Sequence, residues 1–251
     1  MKKPPTLYYT QNPSEITHAD LVYKYQDLAS SFPSQLTPSD QPDKWQSKSY
    51  YSQAPMDLSA GEWTVHNRLT FSTNSLKVFG RGYHTVMKMS KTNTAGLLYI
   101  TGHSVVISDM RFVANPYPTI SSGKLIEIAS GVNNVKIRNC GFDCTRGEYA
   151  IYADGATNLT IEDCYFTPGS NDVIYMLDCN NAVVRNNKIT AGAGVEINLA
   201  STGAGTVSTQ SNFGIVLGNH VGTGTIRYNT TATSGNHQIS GNNANATLTT
   251  Y

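Results

Sequence analysis

Six short stretches of this sequence can be laid over one another residue for residue, and few folds accept a strand repeated in that way. The rows are residues 105–112 (VVISDMRF), 135–142 (VKIRNCGF), 159–166 (LTIEDCYF), 182–189 (AVVRNNKI), 214–221 (GIVLGNHV) and 237–244 (HQISGNNA). Their last residues lie 30, 24, 23, 32 and 23 positions apart. A short alternating strand recurring at such a period marks a parallel β-solenoid with one coil per repeat. A single coil cannot bury its apolar side alone, whereas stacked coils bury one another.

The aligned columns carry the physical detail. One reads Ile107, Ile137, Ile161, Val184, Val216, Ile239, and the terminal one reads Phe112, Phe142, Phe166, Ile189, Val221, Ala244. Coils stack at about 4.8 Å, so these columns predict an apolar ladder inside the solenoid. Between them run Asp109, Asn139, Asp163, Asn186, Gly218, Gly241 and then Met110, Cys140, Cys164, Asn187, Asn219, Asn242. Asn tolerates left-handed backbone and bonds locally, so the second of these columns predicts an amide ladder at a bend. A further strand precedes each row, as in Ile126-Glu127-Ile128, Ile151-Tyr152-Ala153 and Ile174-Tyr175-Met176. Parallel crossovers are overwhelmingly right-handed. The expected fold is therefore all-β: a right-handed, single-stranded parallel β-helix.

Residues 1–57 do not fit the repeat and are expected to form a separate head. A capping pattern at residues 17–20 precedes Leu21, Tyr25, Leu28 and Phe32, which share one helical face, and Pro33 stops that helix. A polar, Pro-rich arm follows over residues 34–43. Trp45, Tyr50 and Tyr51 lie beyond it, either as anchors onto another surface or as packing against the first coil. Residues 58–251 are assigned to the β-helix.

Charged residues make up only 14% of the chain and the formal net charge is +1, against about 25% charged in an average domain. Neither a basic patch nor a charge run points to nucleic acid. No stretch approaches the roughly 18 apolar residues that a membrane span requires. Lys2 and Lys3 are followed by no apolar segment, so no secretory signal is read. On that basis Cys140, Cys144, Cys164 and Cys179 are expected to be reduced packing residues. A zinc site at Cys140, Cys144 and Cys164 lacks a clear fourth ligand, and no metal or cofactor is implied.

Residues 58–65 (LSAGEWTV), 69–71 (LTF) and 76–87 (LKVFGRGYHTVM) complete the pattern. Gly80-Arg81-Gly82 is no phosphate loop, because neither a third glycine nor a helix follows. This entry of a Gly-aromatic-Thr-Val strand, a short strand and a Gly-x-Gly turn resembles that of pectate-lyase-like β-helices. Among these the chain is most similar to the tailspike and tail-fibre proteins of tailed bacteriophages. The resemblance implies a homotrimer in the virion tail, assembled in the host cytoplasm. It also implies a head fixed to a phage tail or capsid-vertex protein and a β-helix recognising a bacterial surface glycan. Trp45, Tyr50 and Tyr51 would then serve virion attachment. Trimer formation is also expected from the open backbone of the last row, which sheets normally cover.

Glycan cleavage needs two carboxylates at about 5–9.5 Å. Asp154 and Asp178, 24 residues apart, are one candidate pair; Asp143 and Glu148, in a loop between coils, are another. The competing role for each is to cap a turn. Glu162-Asp163 reads as a solvated outer ladder. Glycan binding without cleavage needs aromatic faces and hydrogen-bonding groups. Tyr149, Tyr152, Tyr165 and Tyr175 are expected to line one strip across consecutive coils. The functional expectation is a host-receptor-binding adhesin, with a glycan depolymerase or a structural virion decoration as alternatives.

Overall fold

The computed structural model describes residues 56–250, apart from 91–92, 94, 115–122, 145–148, 168–172, 191–196, 201–213, 222–224, 229–237 and 243–246. Residues 1–55 of the head, with its expected helix and Trp45, Tyr50 and Tyr51, lie outside the described residues, and so does Glu148, whereas Met56 and Asp57, expected in the head, open the first sheet of the solenoid.

Three parallel sheets run the length of the described residues. The first stacks Met56–Asp57, Lys77–Phe79, Val106–Ser108, Lys136–Arg138, Thr160–Glu162, Ala182–Arg185, Gly214–Leu217 and Gln238–Ser240. The second stacks Gly61–Val65, Thr85–Met89, Arg111–Val113, Gly141–Asp143, Tyr165–Thr167, Lys188–Ile189 and His220–Val221. The third stacks Leu69–Phe71, Leu98–Ile100, Lys124–Ile128, Tyr149–Asp154, Ile174–Leu177, Ile197–Ala200, Thr225–Tyr228 and Thr247–Thr250. Each coil thus visits the three sheets in turn, and every strand pairs with its counterparts one coil away.

The register matches the sequence columns. Ile107, Ile137, Ile161, Val184, Val216 and Ile239 are successive partners in the first sheet. The Phe column extends upstream to Trp63 and Met87 in the second. Inside, the Phe112 and Phe142 rings stack at 5.1 Å and those of Phe142 and Phe166 at 4.8 Å. All three are buried with Trp63, Ile137 and Ile161. Burying each such side chain contributes about 1.5–3 kcal/mol, and a stacked aromatic pair adds about 0.5–1.5 kcal/mol.

Each eight-residue row turns out to be two strands, one in the first sheet and one in the second. The corner between them falls on Asp109, Asn139, Asp163, Asn186, Gly218 and Gly241, all at φ between 49° and 65°. Only Gly, Asn and Asp visit that region routinely, which explains the column's composition. The left-handed corner is thus one residue before the Asn187, Asn219, Asn242 column. Those amides point inward instead: Asn187 and Asn219 are buried.

Glu162 departs from the expected solvated ladder. Its side chain is only 7% exposed and takes ion pairs from Lys136 and Arg185, each at 2.5 Å. Lys136 and Arg185 stand on the coils before and after it, so the carboxylate stitches three coils together. These two cations hold its carboxyl below the usual range against the opposing effect of burial.

Candidate functional site

The outward positions of the third sheet gather aromatic and charged groups. Along one column the partners run Thr70, Tyr99, Glu127, Tyr152, Tyr175. Alternation of side chains along a strand sends their neighbours Ile126, Ile151 and Ile174 into the core and leaves Thr70 exposed and Tyr99, Glu127, Tyr152 and Tyr175 half-buried. Tyr152 and Tyr175 stack at 5.2 Å with planes 8° apart. Tyr149, three residues before Tyr152 on the same strand, stands edge-on to both at 5.7 and 5.6 Å.

The charges are organised around Glu127. It accepts from Arg68 at 2.6 Å and from Lys124 at 2.8 Å. The same lysine lies 3.8 Å from the centre of the Tyr152 ring, and Arg68 lies 4.3 Å from that of Tyr99. Cation–π contacts of this kind contribute about 0.5–2 kcal/mol. Burial first, and the negative charge of Asp154 second, push the Tyr152 phenol up to about 12. At neutral pH it keeps its proton and is a hydrogen-bond donor. The face offers phenol donors, ring edges, a carboxylate and two cations along a strip parallel to the solenoid axis. That arrangement suits an extended polar chain laid across several coils.

The expected tyrosine strip is therefore partly assembled. Tyr149, Tyr152 and Tyr175 come together, with the first two on one strand rather than on consecutive coils. Tyr165 lies on the second sheet. Asp154 stands beside Tyr152, but its partner across the coil is Leu177, not Asp178. The coil spacing in this part of the third sheet is 23 residues, as Ile151 opposite Ile174 shows, so the assumed 24 misplaces the pair by one. Asp178 instead follows the strand at φ 50°, in the place of Gly155 at φ 60°. The two carboxylates do not share a column. Asp143 is on the second sheet, where Arg111 donates to it at 3.2 Å.

Sequence reasoning missed Arg68, Tyr99 and Lys124. Aligning Leu98-Tyr99-Ile100 beneath Ile126-Glu127-Ile128 finds Tyr99, since both segments alternate apolar, polar, apolar. Arg68 sits outside any strand and carries no such signal. All four cysteines are free and buried. Among the described residues no group of His, Cys, Asp or Glu is placed to hold a metal ion.

The solenoid with its outward polar columns is that of a known class. Residues 82–248 match the model of the right-handed β-helix region, and the chain belongs to that family. No curated protein matches the sequence. Among solved structures, it is similar to the catalytic domain of a GH87 α-1,3-glucanase in complex with nigerose. That match has a TM-score of 0.57 at 16% identity, covering 80% of this chain and 38% of that one. An Asp-to-Ala variant of a GH87 α-1,3-glucanase catalytic domain in complex with tetrasaccharides gives 0.57 at 14% identity, covering 88% and 46%. The A-module of the Azotobacter vinelandii mannuronan C-5 epimerase AlgE6 gives 0.49 at 12%, covering 81% and 67%. The chain thus spans less than half the length of the glucanase domains it matches.

Proposed function

We propose that the chain is a glycan-recognising β-helix of the bacteriophage tailspike type, an adhesin that binds a bacterial surface polysaccharide along its third sheet. The observation that carries this reading is the joined set of Tyr149, Tyr152 and Tyr175 with Lys124, Glu127 and Arg68. It places phenol donors, a carboxylate acceptor and cations on neighbouring coils, the spacing at which successive sugar units present hydroxyls. A polar N-terminal segment ahead of the coils and a low-charge composition support the tailspike assignment. The fold shared with the glucanase catalytic domains supports the polysaccharide part of the reading. In that setting the chain works as a homotrimer whose head is held by a phage tail or capsid-vertex protein. Three weak sites acting together gain avidity.

A second reading, cleavage of the same polymer, is favoured by one feature. Glu127 is the register partner of Tyr152 on the coil before it, and Asp154 stands two residues further along the Tyr152 strand on the same outward face, so two carboxylates flank one proton donor on the strip. The deciding experiment immobilises a panel of purified bacterial surface polysaccharides and measures retention of the protein. New reducing ends and unsaturated products are followed in parallel. The adhesin reading expects retention on at least one polymer, no product, and a tenfold or greater loss of retention in the double variant Tyr152→Ala/Tyr175→Ala. Retention unaffected by that variant would remove the strip from the proposal.

A further inference from the structure

The second sheet carries a hollow that the reading of the third sheet does not use. Its outward positions form two adjacent columns, Arg111, Gly141, Tyr165 and Val113, Asp143, Thr167. Gly141 is a gap in the first. A Cβ placed there would lie 2.5 Å from Cε1 of Tyr83 and 3.0 Å from its Cδ1. The missing side chain is what lets the Tyr83 ring lie against this sheet. Tyr83 comes from the short 3-10 turn Gly82–His84 and remains 52% exposed, the one large hydrophobic among the described residues that is. Around it Arg111, Asp143, Tyr165 and Thr167 line a hollow of about 400 Å³, a size within the range of small-molecule sites.

The polar groups of the hollow are unevenly satisfied. Arg111 donates to Oδ2 of Asp143 at 3.2 Å. The other oxygen, Oδ1, is buried and has no hydrogen-bond partner among the described residues. Closed off from solvent, Oδ1 lies beyond a ligand's reach, and the carboxylate meets the hollow through Oδ2, which has room for a second donor beside Arg111. A carboxylate or phosphate group has no proton to offer at neutral pH and would meet the Asp143 charge. The lining cation is already matched by that same carboxylate. A sugar ring matches this lining: hydroxyl donors for Oδ2, hydroxyl oxygens for the remaining Arg111 N–H groups, and an apolar C–H face for the Tyr83 ring.

We infer that this hollow is a second glycan site, specific for an uncharged, hydroxyl-rich sugar ring, with Asp143 Oδ2 as the acceptor and Tyr83 as the stacking face. It is separate from the strip on the third sheet and does not depend on it. The Tyr83 phenol is held up by burial, with smaller contributions from Cys164, Cys140 and Tyr165, so it stays protonated and adds a donor at the rim.

The test is an NMR titration of the full chain carrying ¹³C-labelled tyrosine, with methyl glucoside and with glucuronate as probes. Methyl glucoside should shift the Tyr83 and Tyr165 signals with millimolar affinity and leave those of Tyr152 and Tyr175 in place. Asp143→Asn should weaken this at least tenfold. Tyr83→Ala, at a half-exposed ring, should abolish it while leaving the fold intact, and Tyr83→Phe should retain most of it. If Asp143→Asn fails to fold, the Tyr83 pair carries the test alone. Glucuronate binding as well as the glucoside, no shift at Tyr83, or full affinity in Tyr83→Ala would each overturn the inference. Because the readout is a monosaccharide at Tyr83, its failure is distinct from failure of polysaccharide retention on the third sheet.

Discussion

Asn187 donates from Nδ2 to Oδ1 of Asn219 at 3.0 Å, and Asn219 repeats the bond to Oδ1 of Asn242 at the same length. Each of these oxygens also accepts the main-chain N–H of the coil below. The same Nδ2 atoms donate to Ile161 and Val184 carbonyls. The amide column therefore satisfies backbone that the left-handed corner has removed from the sheet ladders. One coil earlier Cys164 occupies this column, and its N–H still draws on Asn187 Oδ1 at 2.9 Å.

Asn219→Leu should accordingly be destabilising out of proportion to its size. It strips partners from the N–H and Nδ2 of Asn187 and from the Val184 carbonyl, at about 1–3 kcal/mol for each buried group left unpaired. A loss of about 3 kcal/mol or more is expected, read as a lower urea midpoint. Asn219→Asp keeps the acceptor but sets a carboxylate oxygen against Asn242 Oδ1, and should also destabilise. A midpoint equal to the parent's in both variants would show that the ladder is dispensable.

Ile161 sits between Ile137 and Val184 with no exposed surface. Ile161→Asp would place a charge there without a partner, at a cost of several kcal/mol, on the order of 5, or would force the group neutral. Ile161→Val, which removes one methylene, should cost only about 1 kcal/mol. Thermal melting of the pair separates a buried ladder position from a surface one.

The fold was legible because stacking turns coil length into a column of like residues. The column from Ile107 to Ile239 is plain in the sequence, and so is the one through Glu127, Tyr152 and Tyr175. What could not be read was where the coil length changes. Pairing Asp154 with Asp178 assumes a spacing of 24, which holds for Ile137 and Ile161, yet the third sheet has already dropped to 23. A single residue lost in a connection moves every later side chain by one place. Nor does sequence show which sheet a tyrosine faces from. Tyr165 and Tyr175 are ten residues apart and stand on different sheets. Tyr83 was hidden for another reason: its contact depends on the absence of a side chain at Gly141.

Glu162 makes stability depend on acid in a defined direction. Its folded-state carboxyl is lowered by Lys136 and Arg185, so its contribution is fully present above the unfolded value of about 4.3. It is lost as pH falls through the lower folded value. Glu162→Gln should melt below the parent at pH 7, with Lys136 and Arg185 left beside an uncharged group. The gap between the two proteins should narrow below about pH 4. A gap that is constant or widens on acidification would contradict the assignment.

The cysteines should be chemically silent in the folded protein. Cys140 is raised well above its ordinary range by burial and by its contact with Cys164, and burial pushes Cys179 up to about 12. The thiolate is the reactive form. Ellman's reagent at pH 8 should detect almost no thiol until denaturant is added, and then four per chain. Rapid labelling of the native protein would mean that the coils carrying Cys140 and Cys164 open readily.

Asp178 offers the sharpest separation of structure from chemistry. At φ 50° its backbone occupies the region that Gly155 occupies at φ 60° one coil earlier. That demand explains an Asp here without any catalytic role. Asp178→Asn and Asp178→Gly both suit the bend and should melt close to the parent. Asp178→Val places a β-branched residue in left-handed backbone and should cost about 1–2 kcal/mol. On the adhesin reading, Asp178→Asn and Asp154→Asn both retain polysaccharide binding, and neither alters product formation because there is none to alter. Suppose instead that the parent releases reducing ends and Asp178→Asn stops this with an unchanged melting curve. The carboxylate would then be needed for its charge and not for its conformation, and the chain would be an enzyme.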